Sequence, residues 1–160
     1  GALVAACPKL QKVTVPVARD AAVDETYVAL GRLPSLQHLE IAVYDDHVGV
    51  LQERCLRHLT TLKSLELTIM FRTEKPLDWG AFTLARLEEF QIDVLEQREN
   101  FSVTPILASG QLLQKLAVPH TKHLGEVGID MLSKLPCLRL LRCRGNLGSA
   151  KKAEELEVVS

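Results

Sequence analysis

Residues 33–41 (LPSLQHLEI) contain the pattern that decides the fold, with apolar residues at the first, fourth, seventh and ninth positions. The fourth position is an anchor leucine, and equivalent leucines recur at steps of 26, 26, 25, 26 and 25 residues. Each of the six anchors defines four positions: the anchor itself, the third residue before it, the third residue after it and the fifth residue after it. Of these 24 positions, only Gly110 is not apolar. The chain as a whole is 47% apolar, so the agreement marks an internal repeat. The anchors are Leu10, Leu36, Leu62, Leu87, Leu113 and Leu138.

The spacing after each anchor predicts a short β-strand. Residues three and five after the anchor share one face of an extended strand because side chains alternate with period two. The remainder of each unit then has to return the chain to the start of the next strand. We therefore predict a single α/β domain over residues 1–160, a right-handed solenoid of about six strand–turn–helix units whose parallel sheet lines the concave face.

Helices are expected in most of the returning segments. Residues 46–57 carry apolar side chains at helical spacing, with Asp45 as the predicted N-cap. Thr104, Pro105 and Gly110 are the expected N-cap, first residue and stop of another helix. Further candidates are residues 124–132, residues 149–158 and a shorter, irregular or 3₁₀ stretch after Leu77.

Three segments repeat a phrase with a proline just before the anchor region: residues 7–13 (CPKLQKV), 33–39 (LPSLQHL) and 135–141 (LPCLRLL). The repeated unit resembles leucine-rich repeats over nearly the whole chain. The proline-containing segments are similar to those of eukaryotic F-box/leucine-rich-repeat proteins, the substrate receptors of cullin–RING ubiquitin ligases. The family has Asn or Cys eight residues after the anchor, and here only Asn146 fits. The resemblance implies a protein-binding function, an F-box adaptor and a cullin as partners if an F-box lies upstream, and a cytoplasmic or nuclear location.

Composition bounds the classes of partner. A length of 160 residues is typical of one domain, and 24% charged residues beside 47% apolar ones indicate a folded core. The net charge of −1 argues against nucleic acid or an anionic membrane as partner, and no apolar run is long enough to span a bilayer. The chain opens without Met and without a polar cap, so we expect it to be part of a longer protein, with repeats or an adaptor-binding region before Gly1.

Candidate catalytic and metal-binding residues are sparse. The chain has no nucleophile elbow, no phosphate-binding glycine loop and no His-Glu-x-x-His motif, so we predict that it is not an enzyme and needs no cofactor. The pairs His120 with His123 and Cys55 with His58 lack further ligands at usual spacings, which argues against a metal site. Residues 45–47 (DDH) are predicted to form a solvated turn with a helix cap. The four cysteines, predicted to be small buried hydrophobes in a reducing compartment, are Cys7, Cys55, Cys137 and Cys143.

The candidate binding residues lie two, four and six positions after the anchors, where side chains are expected on the face of the sheet opposite the core. This face is acidic in the second to fourth units and basic in the last, which favours a basic partner segment, although charges that merely solvate the sheet are the alternative. Tyr44 and Phe71 are the nearby aromatic candidates, whereas Trp79 is expected to pack inside. The predicted protein-binding residues are His38, Glu40, Ser64, Glu66, Glu89, Gln91, Asp93, Lys115, Arg142 and Arg144.

Two functions stay open at this level. One is the substrate-recognition region of an F-box-type ubiquitin-ligase receptor. The other is a leucine-rich-repeat scaffold or sensor, of immune-receptor or inhibitor type, with no link to a ligase. An F-box upstream would favour the first, and a nucleotide-binding P-loop upstream would favour the second.

Overall fold

The computed structural model describes residues 7–16, 23–70, 86–95, 104–118, 131–132, 134–143 and 157–159. Its strands are β1 (Lys12–Val15), β2 (His38–Tyr44), β3 (Ser64–Met70), β4 (Glu89–Leu95), β5 (Lys115–Val118), β6 (Leu140–Cys143) and β7 (Glu157–Val159). Its α-helices are α1 (Val23–Gly31), α2 (Val48–Arg54) and α3 (Thr104–Ser109), and two 3₁₀ turns occupy Asp45–His47 and Leu56–His58. None of the helices in these ranges combines the length and hydropathy that a membrane-spanning helix requires.

Within the described ranges, the strands form one parallel sheet whose spatial order is the order of the sequence. Strand pairing places six residues in one row across β1 to β6, and the steps between them equal the anchor spacing of 26, 26, 25, 26 and 25 residues. The predicted α/β class and parallel sheet are confirmed. The row contains Lys12, His38, Ser64, Glu89, Lys115 and Leu140.

A recurring hydrogen-bond arrangement marks the start of the strands β2 to β6. The carbonyl of Gln11 accepts hydrogen bonds from the backbone N–H groups of Gln37 and His38, both at 2.9 Å. The same forked arrangement joins each of the next four pairs of strands, with distances between 2.7 and 3.1 Å. The backbone geometry therefore repeats together with the sequence. The accepting carbonyls belong to Gln11, Gln37, Lys63, Glu88 and Gln114.

Strand length differs between the middle and the flanks of the sheet. Strands β2, β3 and β4 have seven residues each, whereas β1, β5 and β6 have four. Strand β1 ends directly before Pro16 and β5 directly before Pro119. Proline fixes φ and lacks an N–H, so it is disfavoured inside a strand. In the three central strands the same position holds Ala42, Thr68 and Asp93, and pairing continues through it.

The core lies against one face of this sheet. The anchors Leu36 and Leu113 have no exposed surface, and Leu62 and Leu87 are also buried. The strand residues three, five and seven after the anchors complete the inner face of the central strands, so burial extends one position further than the sequence pattern predicted. These residues are Leu39, Ile41, Val43, Leu65, Leu67, Ile69, Phe90, Ile92 and Val94.

Gly110 is the one residue that breaks the apolar pattern, and a steric constraint explains why glycine stands there. Its N–H donates to the carbonyl of Ile106 at 2.7 Å as α3 ends. A Cβ at position 110 would lie 2.6 Å from that carbonyl oxygen, closer than any real side chain allows. The predicted stop at Gly110 is confirmed. Thr104, predicted as the N-cap, is the first residue of α3, so the helix begins one residue earlier than predicted.

Several helix predictions need correction. Residues 46–57 form a broken helical stretch, the two 3₁₀ turns flanking α2, rather than one helix. Tyr44, not Asp45, occupies the N-cap position, and Asp45 is buried rather than solvated. Helix α1 was not among the predicted helices.

The helix predicted over residues 149–158 was also wrong in the part that the structure describes. Glu157 and Val158, predicted to be helical, belong to β7, which pairs with β6. Met131 and Leu132 are helical as expected. The rest of the two predicted segments, residues 124–130 and 149–156, lies outside the described residues, as does the stretch after Leu77 that includes Trp79.

Candidate functional site

The face of the sheet opposite the core is named here the polar face, and it consists of rows that run across the strands. Row one joins Lys12, His38, Ser64, Glu89, Lys115 and Leu140. Row two joins Thr14, Glu40, Glu66, Gln91, Ala117 and Arg142. Row three joins Ala42, Thr68 and Asp93, and row four joins Tyr44, Met70 and Leu95.

Nine of the ten predicted binding residues lie on these rows. His38, Glu66, Lys115 and Arg142 are exposed, and the other five are partly exposed. The alternation of strand side chains explains the placement, because every buried strand residue is followed by one that points to the opposite face. Arg144, the tenth predicted residue, lies outside the described residues, as does Phe71. The basic end of the face is therefore represented by Arg142.

Side chains on the polar face bridge neighbouring strands in three places. The Thr14 hydroxyl donates to the Glu40 carboxylate at 2.9 Å, and the Gln91 amide donates to the Glu66 carboxylate at 2.8 Å. The Lys115 ammonium forms a charged hydrogen bond with the Glu89 carboxylate. A further ion pair joins Lys63 and Glu88 at 3.6 Å, one residue before row one. These contacts join β1 to β2, β3 to β4 and β4 to β5.

Glu40 and Glu66 form an anionic pair at the centre of the face. They are direct partners on adjacent parallel strands, so their Cα atoms are about 4.8 Å apart. Like charges in direct register destabilise a sheet. Each carboxylate takes its hydrogen bond from a neutral donor, and among ion pairs between described residues none includes either glutamate. The pair therefore keeps its negative charge uncompensated, whereas Glu89 is neutralised by Lys115.

Row four was missed as part of the site. The sequence pattern assigned this position, eight residues after the anchor, to the Asn or Cys of the resembled family, but it lies on the polar face. Tyr44 and Met70 are partly exposed there. The missing signal was the apolar residue seven after the anchor in the three central units, Val43, Ile69 and Val94, which continues the strand alternation by one more step.

The ring of Tyr44 is positioned by the turn that follows β2. It meets the His47 ring edge to face, with centroids 6.3 Å apart and planes at 81°. The His47 Nε2 atom in turn lies 3.9 Å from an Asp46 carboxylate oxygen. The DDH segment thus contacts the end of the polar face instead of forming only a solvated turn.

Other chemistry-bearing groups lie away from this face. Burial raises the pKa of the Cys55 thiol to about 12, and His58 points to solvent, so the two side chains considered as a metal pair have opposite environments. His120 and His123 lie outside the described residues. In the ranges that the structure covers, no group of three or more His, Cys, Asp or Glu side chains is arranged to hold a metal ion.

The four cysteines were predicted to be buried, and the structure describes the side chains of three of them. Cys55 is buried, Cys137 is partly exposed and Cys7 is exposed, so the prediction of burial was wrong for Cys7. All three are free thiols. The side chain of Cys143, the fourth cysteine, is outside the described set.

The chain matches no protein-family profile, no curated protein and no solved structure.

Proposed function

We propose that the chain is a protein-interaction module that binds its partner through the polar face. The observation that carries the proposal is the Glu40–Glu66 pair, two uncompensated carboxylates in direct register at the centre of an exposed sheet face. Such a pair costs stability in the free protein, and a cationic side chain from a partner would relieve that cost. The partner is therefore expected to bring a basic group to row two.

The architecture we propose for this module is the leucine-rich-repeat solenoid with about six units. Two features support it: the constant step of 25 or 26 residues between paired strands, and the forked backbone hydrogen bonds that recur at five strand junctions. A solenoid stacks units that cannot bury their apolar faces alone, and it leaves one long sheet face available for binding.

Within this class, we favour the substrate-recognition repeats of an F-box-type ubiquitin-ligase receptor, located in the cytoplasm or nucleus. The support is the proline-containing phrase at residues 7–13, 33–39 and 135–141, which is similar to the repeats of that family. A leucine-rich-repeat scaffold or sensor without a ligase link is the second candidate, because the polar face serves either role equally well.

Affinity capture with mass spectrometry tests both levels of the proposal. The bait is the natural protein that contains this chain, in three forms: wild type, Glu40→Lys with Glu66→Lys, and Glu53→Lys. Glu53 is exposed on α2, away from the sheet, and is the matched control for charge reversal. We expect one partner to be lost from the double variant and retained by the control.

The ligase proposal has its own outcome in the same experiment. Near-stoichiometric F-box adaptor and cullin in all three captures would support it, and their absence from a folded bait would contradict it. Full retention of every partner by the double variant would contradict binding through the polar face.

A further inference from the structure

The polar face changes character along the three central strands. Within the described residues, rows three and four are formed by β2, β3 and β4, each of which is three residues longer than β1 and β5. Along β2 and β3 the outward residues run from charged or polar (rows one and two) through small (row three) to large and apolar (row four). The face is therefore acidic at its centre and apolar at the carboxyl end of these two strands.

On β2 and β3, row three has short side chains between the acidic and apolar ends. Ala42 and Thr68 are direct partners there, and both are partly exposed. Their short side chains leave the neighbouring larger residues, Glu40 and Glu66 on one side and Tyr44 and Met70 on the other, as the raised edges. A segment of a partner can lie along the strands over this low row and touch both edges.

The apolar end has the residue types that anchor protein interfaces. Tyrosine supplies a large, rigid contact area with few rotatable bonds, and the Tyr44 ring is already held edge to face by His47. Met70, its partner on β3, supplies an unbranched and adaptable apolar surface. An apolar side chain from a partner would be buried between them.

The distance between the two ends sets the spacing in the partner. Rows two and four are four residues apart along a strand, or about 13 Å. An extended segment that runs along the strands covers the same distance in about four residues. We propose, resting on the proposed function, that the polar face recognises an extended partner segment with a Lys or Arg at the Glu40–Glu66 pair and a large apolar side chain against Tyr44 and Met70 about four residues away.

Peptide display provides the test. The immobilised chain is screened against a phage library of random peptides about twelve residues long, enough to extend over about 40 Å. Three further baits are screened in parallel: Glu40→Lys with Glu66→Lys, Tyr44→Ser with Met70→Ser, and a control with Glu53→Lys and Leu112→Ser. Leu112 is 51% exposed and lies off the polar face, so the control matches both kinds of change. Thermal melting establishes that each bait is folded.

We expect wild type and control to enrich peptides that pair a Lys or Arg with a large apolar residue three to five positions away. The charge variant should lose the basic preference and keep the apolar one, the apolar variant should do the reverse, and each should bind the best wild-type peptide about tenfold more weakly. Enriched peptides that need the polar face but lack this pairing would overturn the inference and leave the proposed function standing. Peptides bound equally by all four baits would overturn both. An absence of any enriched peptide would overturn the inference, and the partner capture would then decide the proposed function.

Discussion

Neighbouring residues of one strand meet opposite environments in this protein. On β3, Leu65, Leu67 and Ile69 are at most 1% exposed in the core, while Glu66 and Thr68, between them in sequence, lie on the polar face. The buried set is uniform from unit to unit, because each strand has to cover the same kind of apolar surface. The outward set changes from unit to unit, from a compensated Glu89–Lys115 pair to the uncompensated Glu40–Glu66 pair. The inner face forms the core, whereas the outer face varies in sequence without changing the core.

The largest contrast is expected from two adjacent residues of β4. Ile92 has no exposed surface, so Ile92→Ala should lower the free energy of unfolding by about 2–5 kcal/mol. Gln91 lies on the polar face, so Gln91→Ala should cost only about 0.5–1.5 kcal/mol through its hydrogen bond to Glu66. Urea denaturation of both variants checks the comparison. Equal losses would show that the two faces do not differ in their contribution to stability.

A pair of glycines extends the comparison to the helical side. A Cβ on Gly31 would lie 2.8 Å from the carbonyl oxygen of Arg54, where the end of α1 meets the end of α2, so Gly31→Ala should cost about 1–3 kcal/mol. A Cβ on Gly49, within α2, would have no atom within 4 Å, so Gly49→Ala should stabilise by about 0.5–1 kcal/mol. Thermal melting of the two variants should show shifts of opposite sign. A Gly31→Ala variant that melts at or above the wild-type temperature would contradict the close approach of α1 and α2.

The stability of the protein at alkaline pH should depend on the buried thiol of Cys55. Burial raises the pKa of its thiol from 9.0 to about 12, so the folded protein keeps a proton that the unfolded chain releases. The associated stability is complete below pH 9 and is lost as the pH rises towards 12; the loss should reach about 1 kcal/mol by pH 10. Tyr27 acts in the same direction, because burial and then the negative charges of Cys55, Asp24 and Asp46 raise its pKa from 10.0 to about 12.

Urea unfolding between pH 7 and pH 10 measures this loss, with Cys55→Ala as the comparison. The variant should start less stable and decline less steeply than the wild type. Parallel curves for the two proteins would show that the Cys55 thiol does not contribute to the pH dependence.

The smallest expected effects are changes in the free energy of unfolding that have opposite signs at two glutamates of the polar face, Glu89 and Glu66. Glu89→Gln removes the partner of Lys115, so it should lower the free energy of unfolding by about 0.2–1 kcal/mol. Glu66→Gln relieves the like-charge pair with Glu40 and should raise it by a similar amount. Differential scanning calorimetry at low and high salt checks both, since salt should shrink each difference. A loss of stability in Glu66→Gln would contradict the uncompensated charge on which the binding proposal depends.

Much of this arrangement could be predicted from the sequence, and the limits have physical causes. The rows across the sheet followed from the anchor spacing, because a buried face allows only one register. The length of the central strands did not, because the repeat pattern extended only to the fifth residue after each anchor and left out the apolar residue seven positions after it. Row four was missed for the same reason. Glu89 has a charged hydrogen-bond partner, whereas Glu40 and Glu66 have neutral ones. This difference depends on side-chain conformation, which a repeat pattern does not contain.

The most direct test of the division between the two faces compares Glu66→Lys with Leu67→Ala, adjacent on β3. Two quantities are measured for each: the free energy of unfolding, and the dissociation constant for the best peptide selected by the wild-type chain. Glu66→Lys should weaken peptide binding about tenfold and change stability by less than about 1 kcal/mol. Leu67→Ala should lose about 2–5 kcal/mol of stability and bind the peptide unchanged while folded. If Glu66→Lys binds like the wild type, or if the two variants lose stability equally, the division of roles between the two faces is contradicted.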